Sequence, residues 1–494
     1  MISSFGHFVV DLDQSERASK TIAFAQFLSL ETVLISQSAE QIPMFNPKAV
    51  LEHFQKPVPR YTSYPTAPQF KDGLGANLFA EALPGLDPTD PVSAYIHIPF
   101  CDRLCWFCGC HTKHTLKYAP IQRYMQTLIE EIRLTAAILD FRPKLGSLHL
   151  GGGSPSLLQR NDLLALRAAL DDTFQIDDST EVSIEIDPSD VDSKQISELV
   201  EFGLTRASVG VQDFHPDVQK AINRPQGFET TRDVVLQLRD AGIGSINIDA
   251  LYGLPLQSEF RLLRTIEQCV SLKPDRMALF GYAHVPWLKK HQNMIKTEDL
   301  AGPLERYQQA QAAANQLTQA GYQAVGIDHF ALPEDSLALA ATGHRLHRNF
   351  QGYTTDHHET MLGFGASSIG RFRDSYVQNT VPTPQYQSLI AEGRLPKHKG
   401  LKLTIEDQLR RHIIERMMCD FSIDFDALNM FPAHLVETCL KEAGKLAARD
   451  CFELCRMEGR RFTIPEHARS FARIVAANFD AYYAPEQFRY SKAV

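Results

Sequence analysis

Apolar runs of strand length alternate with amphipathic helical patterns from residue 92 onward, and this alternation constrains the fold more than any other feature. After the first run, Ile121, Met125, Leu128 and Ile132 recur at spacings of four, three and four, as on one face of an α-helix. Strands that alternate with such helices predict βαβ units and a parallel sheet. The runs are residues 92–98, 147–150, 181–186, 206–211, 245–251 and 276–281.

Polar or glycine-rich residues follow each of these runs, where the strand is predicted to end. In a barrel of parallel strands the carboxyl ends share one mouth, so these groups would meet at one site. In a doubly wound open sheet they would be strung along an edge instead. We therefore expect an α/β protein with a partial (β/α)6 barrel. The groups are His97 with the cysteines after it, residues 151–154, Glu185 with Asp187, Gln212 with Asp213, Asp249, and residues 282–284.

The predicted domains follow from where this alternation begins and ends. Residues 1–43 are expected to be an extension, either loosely attached or packed as a cap, because Met44 stands just before a helical stretch. Residues 44–91 form an N-terminal arm and linker. Residues 92–332 form the barrel, and residues 333–399 a connection that covers it. Residues 400–494 are expected to form a C-terminal, mostly helical domain, with helices over 407–419 and 466–483 and a hairpin over 452–464.

The charge and the cysteine content exclude several classes of protein. The formal net charge is −9, whereas a domain that follows nucleic-acid phosphates is usually basic. The cysteines number nine, and their crowding within residues 101–110 indicates metal binding in a reducing compartment rather than a disulfide framework. No apolar run is long enough to span a membrane, and no basic segment precedes an apolar core at the N-terminus. We therefore expect a cytoplasmic protein.

Three cysteines, Cys101, Cys105 and Cys108, lie on a loop directly after the first predicted strand. Thiolates at this spacing can wrap one corner of an iron–sulfur cube and bind three of its irons, which leaves the fourth iron open to another ligand. The alternative is a zinc site completed by His97 or His111. Structural zinc usually takes its ligands from two paired loops, and no second pair follows at a suitable distance, so the cluster is favoured.

The motif C-x3-C-x2-C after a strand, with Phe107 before the last cysteine, resembles the radical SAM superfamily. In that superfamily the amine and carboxylate of S-adenosylmethionine (SAM) chelate the open iron of a [4Fe–4S] cluster. One electron then cleaves SAM to methionine and a 5′-deoxyadenosyl radical, while the protein supplies binding, orientation and exclusion of water. The glycines at residues 151–153 fit the superfamily's glycine motif, in which bare backbone approaches the methionyl group of SAM.

Longer motifs resemble one family within it, the oxygen-independent coproporphyrinogen III dehydrogenases, also called anaerobic coproporphyrinogen oxidases. The resemblance runs from about residue 58 to the end. It implies oxidative decarboxylation of coproporphyrinogen III to protoporphyrinogen IX in haem biosynthesis, with a [4Fe–4S] cluster and two SAM molecules. We also expect a reducing donor of the flavodoxin or ferredoxin type, and a monomer with no nucleic-acid or membrane partner. The motifs are RYTSYPTA at 60–67, YIHIPFC at 95–101, CGC at 108–110, GYAHVPW at 281–287 and QGYTT at 351–355.

The resemblance also implies which residues bind the two SAM molecules. Contacts to the cluster-bound SAM are carried over to Tyr95, Gly152, Glu185 and Ile369. Contacts to the second SAM are carried over to Phe107, Gly153, Ser154, Gln212, Arg224, Asp249 and Ala283. These residue types suit the task, because strand-end carboxylates accept from amine or hydroxyl groups and an arginine can pair with a carboxylate. No protein residue is assigned as catalytic, since the SAM-derived radical performs the chemistry.

The substrate contacts are less specific than the SAM contacts. The family often has threonine where this chain has Ser154, and residues 356–359 depart from the pattern expected after QGYTT, which puts substrate contacts there in doubt. The substrate is a tetracarboxylate macrocycle, so its site needs cations and an apolar wall. The candidate cations are Arg60 on the polar arm, which is the assigned substrate contact, and Lys289, Lys290, Arg345 and Arg348.

Two other functions fit parts of the same pattern. A haem-binding chaperone of the same superfamily branch shares the cysteine loop and the barrel, but there the residue two after the third cysteine is usually aromatic and the RYTSYPT arm is absent. Here that residue is Cys110 and the arm is present, which favours the dehydrogenase. A radical SAM enzyme that modifies tRNA would carry a basic RNA-binding appendage. The C-terminal segment of this chain interleaves basic and acidic residues instead.

A chain that begins at Met44 should fold, bind its cluster and turn over at the full-length rate, because no recognisable motif precedes Arg60. Iron content, circular dichroism and product formation of the truncated and full-length chains, prepared side by side, measure this. Loss of activity with the iron retained would show that residues 1–43 belong to the working site.

Overall fold

The computed structural model describes residues 45–54 and 58–484. Residues 1–43, the expected extension, lie outside the described residues, so their role stays a prediction. A short helix spans Pro47–His53. No described helix is long and apolar enough to cross a membrane.

Six parallel strands form the centre of a sheet that has thirteen strands in the described part of the chain. They pair in chain order, with Ile96 opposite Leu150 and Ile184 opposite Ala207. Buried and half-buried residues alternate along several of them, because successive side chains point to opposite faces of the sheet. The strands are β1 (Val92–Ile98), β2 (Leu145–Gly152), β3 (Glu181–Ile186), β4 (Arg206–Gln212), β5 (Ser245–Tyr252) and β6 (Arg276–Gly281).

An amphipathic helix follows each of these strands, as the alternation predicts. In the first helix Ile121, Met125, Leu128 and Ile132 are all buried, which confirms the predicted apolar face. These residues belong to one continuous core that also contains the inward side chains of the strands. The helices are α1 (Tyr118–Ala136), α2 (Arg160–Thr173), α3 (Ser193–Phe202), α4 (Phe228–Asp240), α5 (Glu259–Ser271) and α6 (Pro303–Gln319).

Capping residues set where several helices begin and end. Asp192 and Ser258 each accept a hydrogen bond from a backbone N–H in the first turn of α3 and α5. Gly203 ends α3 with φ of +115°, a left-handed conformation that glycine adopts without steric cost. Further short helices span Gly75–Ala82, Pro216–Ala221, Ser336–Thr342 and Thr383–Ala391.

Additional strands extend the sheet on both sides of the parallel core. We expected residues 333–399 to be a connection that covers the barrel, and the sheet corrects this. Met361–Phe364 pairs in parallel with β1, which places Gly363 opposite Tyr95. Short strands without regular alternation carry little sequence signal, so they escaped prediction. The remaining strands are Ile369–Phe372, Ser375–Asn379, Lys397–Lys402 and Lys71–Asp72 beyond β1, and His329–Ala331 and Gln323–Val325 beyond β6.

The QGYTT segment runs along the barrel interior from the carboxyl ends of the strands to their amino ends. Gln351 lines the cavity at the carboxyl ends. At the amino ends, the Asp356 carboxylate accepts hydrogen bonds from the hydroxyls of Ser93 and Ser147, the latter at 2.9 Å. Residues 356–359 therefore begin with the anchoring residue Asp356 and start at the amino ends of the strands, opposite to the predicted site. The strands His347–Asn349 and Gly352–Thr354 form the antiparallel hairpin that carries this segment.

The C-terminal part contains two long helices and a small sheet. The predicted hairpin is confirmed, whereas the long helix predicted over residues 466–483 is wrong. That segment holds only the short helix Ala472–Ala476 between two 3-10 turns. The side-chain amide of Asn478 donates to the carbonyls of Ile474 (3.0 Å) and Val475 (3.2 Å), which helps to end the helix. The helices are Ile405–Cys419 and Ala433–Arg449, and the strands are Ser422–Asp424, Arg456–Glu458 and Arg461–Thr463.

A buried glutamate on α1 joins that helix to the added strands. Both oxygens of Glu131, whose side chain is 0% exposed, accept hydrogen bonds. Oε1 accepts from the Lys397 ammonium (3.0 Å) and the Asn379 amide (2.7 Å). Oε2 accepts from the Gly365 backbone N–H and the Tyr386 hydroxyl, both at 2.8 Å. Because the ion pair of Glu131 and Lys397 is buried, loss of one of these two residues would leave the charge of the other uncompensated inside the protein.

Replacing Lys397 by Met should therefore lower the free energy of unfolding by about 3–5 kcal/mol, since Glu131 keeps its charge without its cation. The matched control is Arg264→Met, which breaks an exposed ion pair with Glu267 and should cost at most about 1 kcal/mol. Denaturant unfolding followed by circular dichroism measures both variants. Equal shifts in the two variants would contradict the assignment of Glu131 as a structural centre.

Candidate active site

A cavity of about 490 Å³ lies at the carboxyl ends of the parallel strands, where the sequence predicts the site. All six strands, or the loops directly after them, contribute to its lining. Tyr95 and Ile369 are the predicted site residues that do not line it. Those that do are Arg60, Cys101, Cys105, Phe107, Cys108, Gly152, Gly153, Ser154, Glu185, Gln212, Arg224, Asp249 and Ala283.

Hydrogen bonds to backbone carbonyls hold the cysteine loop, residues 99–112, against the segment after β6. The Lys289 ammonium donates to the carbonyl of Cys110 (2.8 Å), and the His291 ring contacts the carbonyl of Cys108 (2.8 Å). β1 and β6 are the first and last of the six central parallel strands. These contacts therefore join the two sides of the barrel mouth. Lys289, a candidate substrate contact from the sequence, thus has a structural partner in the loop.

The three predicted ligand thiols of the loop differ in burial and in electrostatics. Burial raises the pKa of Cys101 to about 12, and it also raises the pKa of Cys105. A hydrogen bond between the Cys108 and Cys110 side chains lowers the pKa of Cys108 and raises the pKa of Cys110. The thiolate is the form that binds metal. Cys101 and Cys105 must lose their protons when metal binds.

The donor set fits an iron–sulfur cube. Cys101, Cys105 and Cys108 all line the cavity, and Cys108 influences the ionisation of both other thiols. Among the described residues, no group of three or more His, Cys, Asp or Glu side chains is arranged to hold a single metal ion. A cube differs from a single ion, because each thiolate binds a different iron. Three thiolates on one loop would leave the fourth iron of such a cluster open to another ligand.

Arg224 connects the cysteine loop to the strand ends. Its guanidinium donates to the Asp187 carboxylate (2.8 Å), to the carbonyl of Gly210 (2.7 Å) and to the Cys105 sulfur (3.5 Å). The sequence predicted that Arg224 would pair with a ligand carboxylate, but in the structure its carboxylate partner is Asp187. The sequence placed Asp187 at a strand end without a role, because nothing local links residues 187 and 224. The Arg224 Nε is buried without a hydrogen-bond partner.

The glycine run at the end of β2 is required by close packing within the protein. Gly152 has φ of +110°, and a Cβ there would lie 2.4 Å from the His97 ring. A Cβ on Gly153 would lie 2.4 Å from the carbonyl oxygen of Phe100, at the start of the cysteine loop. The Ser154 N–H donates to that same carbonyl at 2.7 Å. These glycines therefore bring β2 and the cysteine loop together at the edge of the cavity.

Two carboxylates at strand ends line the cavity in different electrostatic states. Burial raises the pKa of Asp249, against hydrogen bonds from Ser208 (2.8 Å) and Asn247 (2.7 Å). Burial also opposes ionisation of Glu185, but contacts with His149 and the Gly152 N–H lower its pKa overall. A cation bound between them would favour the ionised form of both.

Of three further predicted SAM contacts, Gln212 lines the cavity, whereas Tyr95 and Ile369 do not. Gln212 sits on a β-bulge with φ of +69°, an uncommon conformation for a residue other than glycine. The Tyr95 hydroxyl contacts His97 Nδ1 at 3.0 Å, and its ring stacks on His149. Ile369 begins an added strand and packs against the same apolar cluster as Phe350, which does line the cavity.

The wall nearest β6 is cationic. The Arg60 guanidinium donates to the carbonyl of Gly281 at 2.9 Å, and burial lowers its pKa to about 10. Arg348 and Asp328 line the same wall, as do Phe350 and Gln351. The sequence named Arg348 as a candidate, and it gave Asp328 and Phe350 no role. Lys290 and Arg345, the other candidate cations, do not line the cavity.

Comparison with known proteins agrees with this geometry. Residues 95–269 match the family model described as the radical SAM superfamily. The anaerobic coproporphyrinogen III oxidase 1 of Cereibacter sphaeroides is 45% identical over 441 residues, which cover 89% of this chain and 97% of that protein. The oxygen-independent coproporphyrinogen III oxidase of Salmonella typhimurium is 36% identical over 435 residues, which cover 88% of this chain and 95% of that protein.

A solved structure supports the same assignment. Coproporphyrinogen III oxidase from Escherichia coli, described as a radical SAM enzyme, superimposes with a TM-score of 0.82 at 34% identity, covering 89% of this chain and 100% of that chain. The expected fold class, a partial (β/α)6 barrel with a mostly helical C-terminal domain, is confirmed. Because the match extends over nearly the whole length of these relatives, the chain belongs to the family of oxygen-independent coproporphyrinogen III oxidases in the radical SAM superfamily.

Proposed function

We propose that this chain catalyses the oxygen-independent oxidative decarboxylation of coproporphyrinogen III to protoporphyrinogen IX, a step of haem biosynthesis. The observation that carries the proposal is one cavity whose lining combines the thiols of the cysteine loop, carboxylates at the ends of the parallel strands and a cationic wall. The relatives named for this activity match over nearly their whole length, 97% for the Cereibacter sphaeroides protein. The enzyme uses a [4Fe–4S] cluster and SAM, as members of the radical SAM superfamily do.

The reaction converts two of the four propionates to vinyl groups. Each of these side chains loses a hydrogen atom from the carbon next to the pyrrole ring. The bond to the carboxylate carbon then breaks, carbon dioxide leaves, and one electron passes to a one-electron acceptor. Bound together, a [4Fe–4S] cluster and SAM supply the hydrogen-atom abstraction. The protein must therefore hold a cationic cofactor beside a polyanionic substrate and exclude water from both.

The residues around the cysteine loop are proposed to hold the cluster and its SAM. Cys101, Cys105 and Cys108 each bind one iron, and Arg224 keeps Cys105 in place through its contacts with strand ends. The Glu185 carboxylate accepts from the amine or ribose hydroxyls of SAM, because its contacts favour the ionised form. The proposed set for this SAM is Tyr95, Gly152, Glu185 and Ile369, of which Gly152 and Glu185 reach the cavity.

A second SAM is proposed to occupy the same cavity. Asp249 offers it a carboxylate that Ser208 and Asn247 hold in one orientation. Arg224 contributes its Nε, which is buried and has no hydrogen-bond partner, while Asp187 holds the rest of its guanidinium. The proposed set is Phe107, Gly153, Ser154, Gln212, Arg224, Asp249 and Ala283, all of which line the cavity.

The proposal also includes the partners of the reaction and the setting of the protein. A reducing flavodoxin or ferredoxin supplies the electron for each SAM cleavage. The enzyme acts as a monomer in the cytoplasm, where a reducing environment keeps the loop thiols available for iron.

Anaerobic incubation of the reconstituted protein with coproporphyrinogen III, SAM and a reductant tests the proposed function. Chromatography should show a product with one vinyl group followed by the divinyl product, with release of carbon dioxide. If the protein consumes no substrate but binds haem tightly, its function is that of the haem-binding chaperone from the same superfamily branch.

Replacing Cys101, Cys105 or Cys108 by Ser should abolish cluster binding, because each change removes one of three thiolates. Cys110→Ser should keep the brown cluster with about four irons per chain, since Cys110 is not a ligand in this assignment. Iron analysis and visible absorbance after anaerobic reconstitution measure all four variants. A colourless Cys110→Ser protein would contradict the assignment of three ligands.

Replacing Asp249 by Ala should weaken binding of the second SAM by about 1.5–3 kcal/mol, because a buried charged acceptor is lost. Iron content and the affinity for the cluster-bound SAM should stay unchanged, since they depend on the cysteines and on the residue set proposed for that SAM. Product yield should therefore fall much further than iron content. Asp240→Ala, at the exposed end of α4, is the control and should behave as the wild type. A wild-type rate of product formation in Asp249→Ala would remove Asp249 from the site.

A further inference from the structure

We infer that Arg60, Arg306, Arg348 and Arg473, here called the arginine cluster, form a subsite that binds a propionate carboxylate of the substrate. The inference rests on the proposed function, because that function supplies a tetracarboxylate substrate. The four residues come from the arm, from α6, from the strand His347–Asn349 and from the helix Ala472–Ala476. Arg60 and Arg348 line the cavity directly.

Two members of the cluster have no carboxylate nearby in the described part of the chain. Asp328 lies 3.2 Å from an Arg473 nitrogen and 4.0 Å from an Arg348 nitrogen. Within the described residues, neither Arg60 nor Arg306 lies within 4.0 Å of a carboxylate. Asp328 also contacts the His329 ring at 2.8 Å. The charges of Arg60 and Arg306 are therefore not balanced by a neighbouring carboxylate among the described residues, and the cluster can accept an anion.

Burial makes this excess costly unless a ligand balances it. The Arg348 side chain is only 4% exposed. Burial lowers the pKa of Arg60 to about 10, with Arg473 as the next cause, and burial also lowers the pKa of Arg306. The pKa of Arg348 is raised instead, because Tyr353 and Asp328 outweigh its burial. A guanidinium prefers the charged form in almost all settings, so the directions at Arg60 and Arg306 indicate strong desolvation. A fold keeps such charges where an anion neutralises them.

Unused hydrogen-bond donors in the cluster support the same conclusion. Nη1 of Arg348 makes no hydrogen bond, although its guanidinium lies over the ring of Tyr353 at 4.4 Å. Other nitrogens of Arg348 donate to the backbone carbonyls of Tyr61 (3.2 Å) and Arg60 (3.4 Å), which holds the arm beside the cavity. Nε of Arg306 is also buried without a partner. A carboxylate accepts from two such donors at once.

The ligand chemistry is a carboxylate, and two molecules in the cavity could supply one. SAM carries a single carboxylate beside two cationic groups, so it has no need of several arginines. The substrate carries four carboxylates, which matches a wall with excess positive charge. We therefore assign the cluster to the substrate, and the test separates the two sources.

The test measures affinity for the substrate and for SAM separately in Arg348→Met and Arg60→Met. Coproporphyrin III, the oxidised form with the same four propionates, serves as an unreactive probe whose binding is followed by fluorescence. Its affinity, and the KM for coproporphyrinogen III, should worsen about 10- to 100-fold in each variant, because a charge-assisted bond is lost. Iron content and SAM affinity should stay at wild-type values.

Arg345→Met is the matched control, because Arg345 is exposed and lies outside the cavity lining. It should leave every readout unchanged. A loss of SAM affinity with unchanged porphyrin affinity would overturn the inference, as would unchanged porphyrin affinity in both variants or a parallel loss of porphyrin, SAM and iron. If Arg348→Met does not fold, Arg60→Met alone decides by the same criteria. A wild type that binds coproporphyrin III but forms no product would refute the proposed function and leave this subsite standing.

Discussion

Parallel pairing of β1 to β6 is the constraint on which the rest of the site depends. Because the strands run in one direction, every loop that follows a strand opens at the same edge, and residues far apart in the chain meet there. Within that frame the Arg224 guanidinium joins three of these ends, through Asp187, Gly210 and Cys105. The cysteine loop is thus held by contacts with the barrel in addition to the hydrogen bonds within it.

The charges of the cavity are divided between its two sides. Glu185 and Asp249 lie at the ends of β3 and β5, where Asp187 pairs with Arg224, and Arg60 and Arg348 lie with Asp328 on the wall nearest β6. SAM is a cation and the proposed substrate is a polyanion, so each has a complementary wall. Since the chain as a whole carries a net charge of −9, the arginine cluster is a local feature that overall charge does not show. Walls of different charge in one cavity would hold SAM and the substrate next to each other in a fixed orientation.

The sequence predicted those parts of the structure that local patterns encode. Helical spacing identified α1, and the position of the cysteines after the first strand predicted that their loop would line the cavity. It could not show that Asp187 rather than a ligand would hold Arg224, because only the folded sheet brings them together. Arg306 and Arg473 resemble any arginine on a helix surface until the fold brings Arg306 next to Gly281 and Arg473 to within 3.2 Å of Asp328. The strands between residues 361 and 402 were too short and irregular for periodicity to identify.

The central claim is that the cluster-bound SAM and a substrate propionate meet in one cavity. Substrate deuterated on the propionate carbon next to the pyrrole ring tests this claim directly, through mass spectrometry of the 5′-deoxyadenosine formed in anaerobic turnover. The account predicts that deuterium passes from this carbon into 5′-deoxyadenosine in step with vinyl formation. Vinyl product formed together with unlabelled 5′-deoxyadenosine would contradict it, because the hydrogen would then have come from elsewhere.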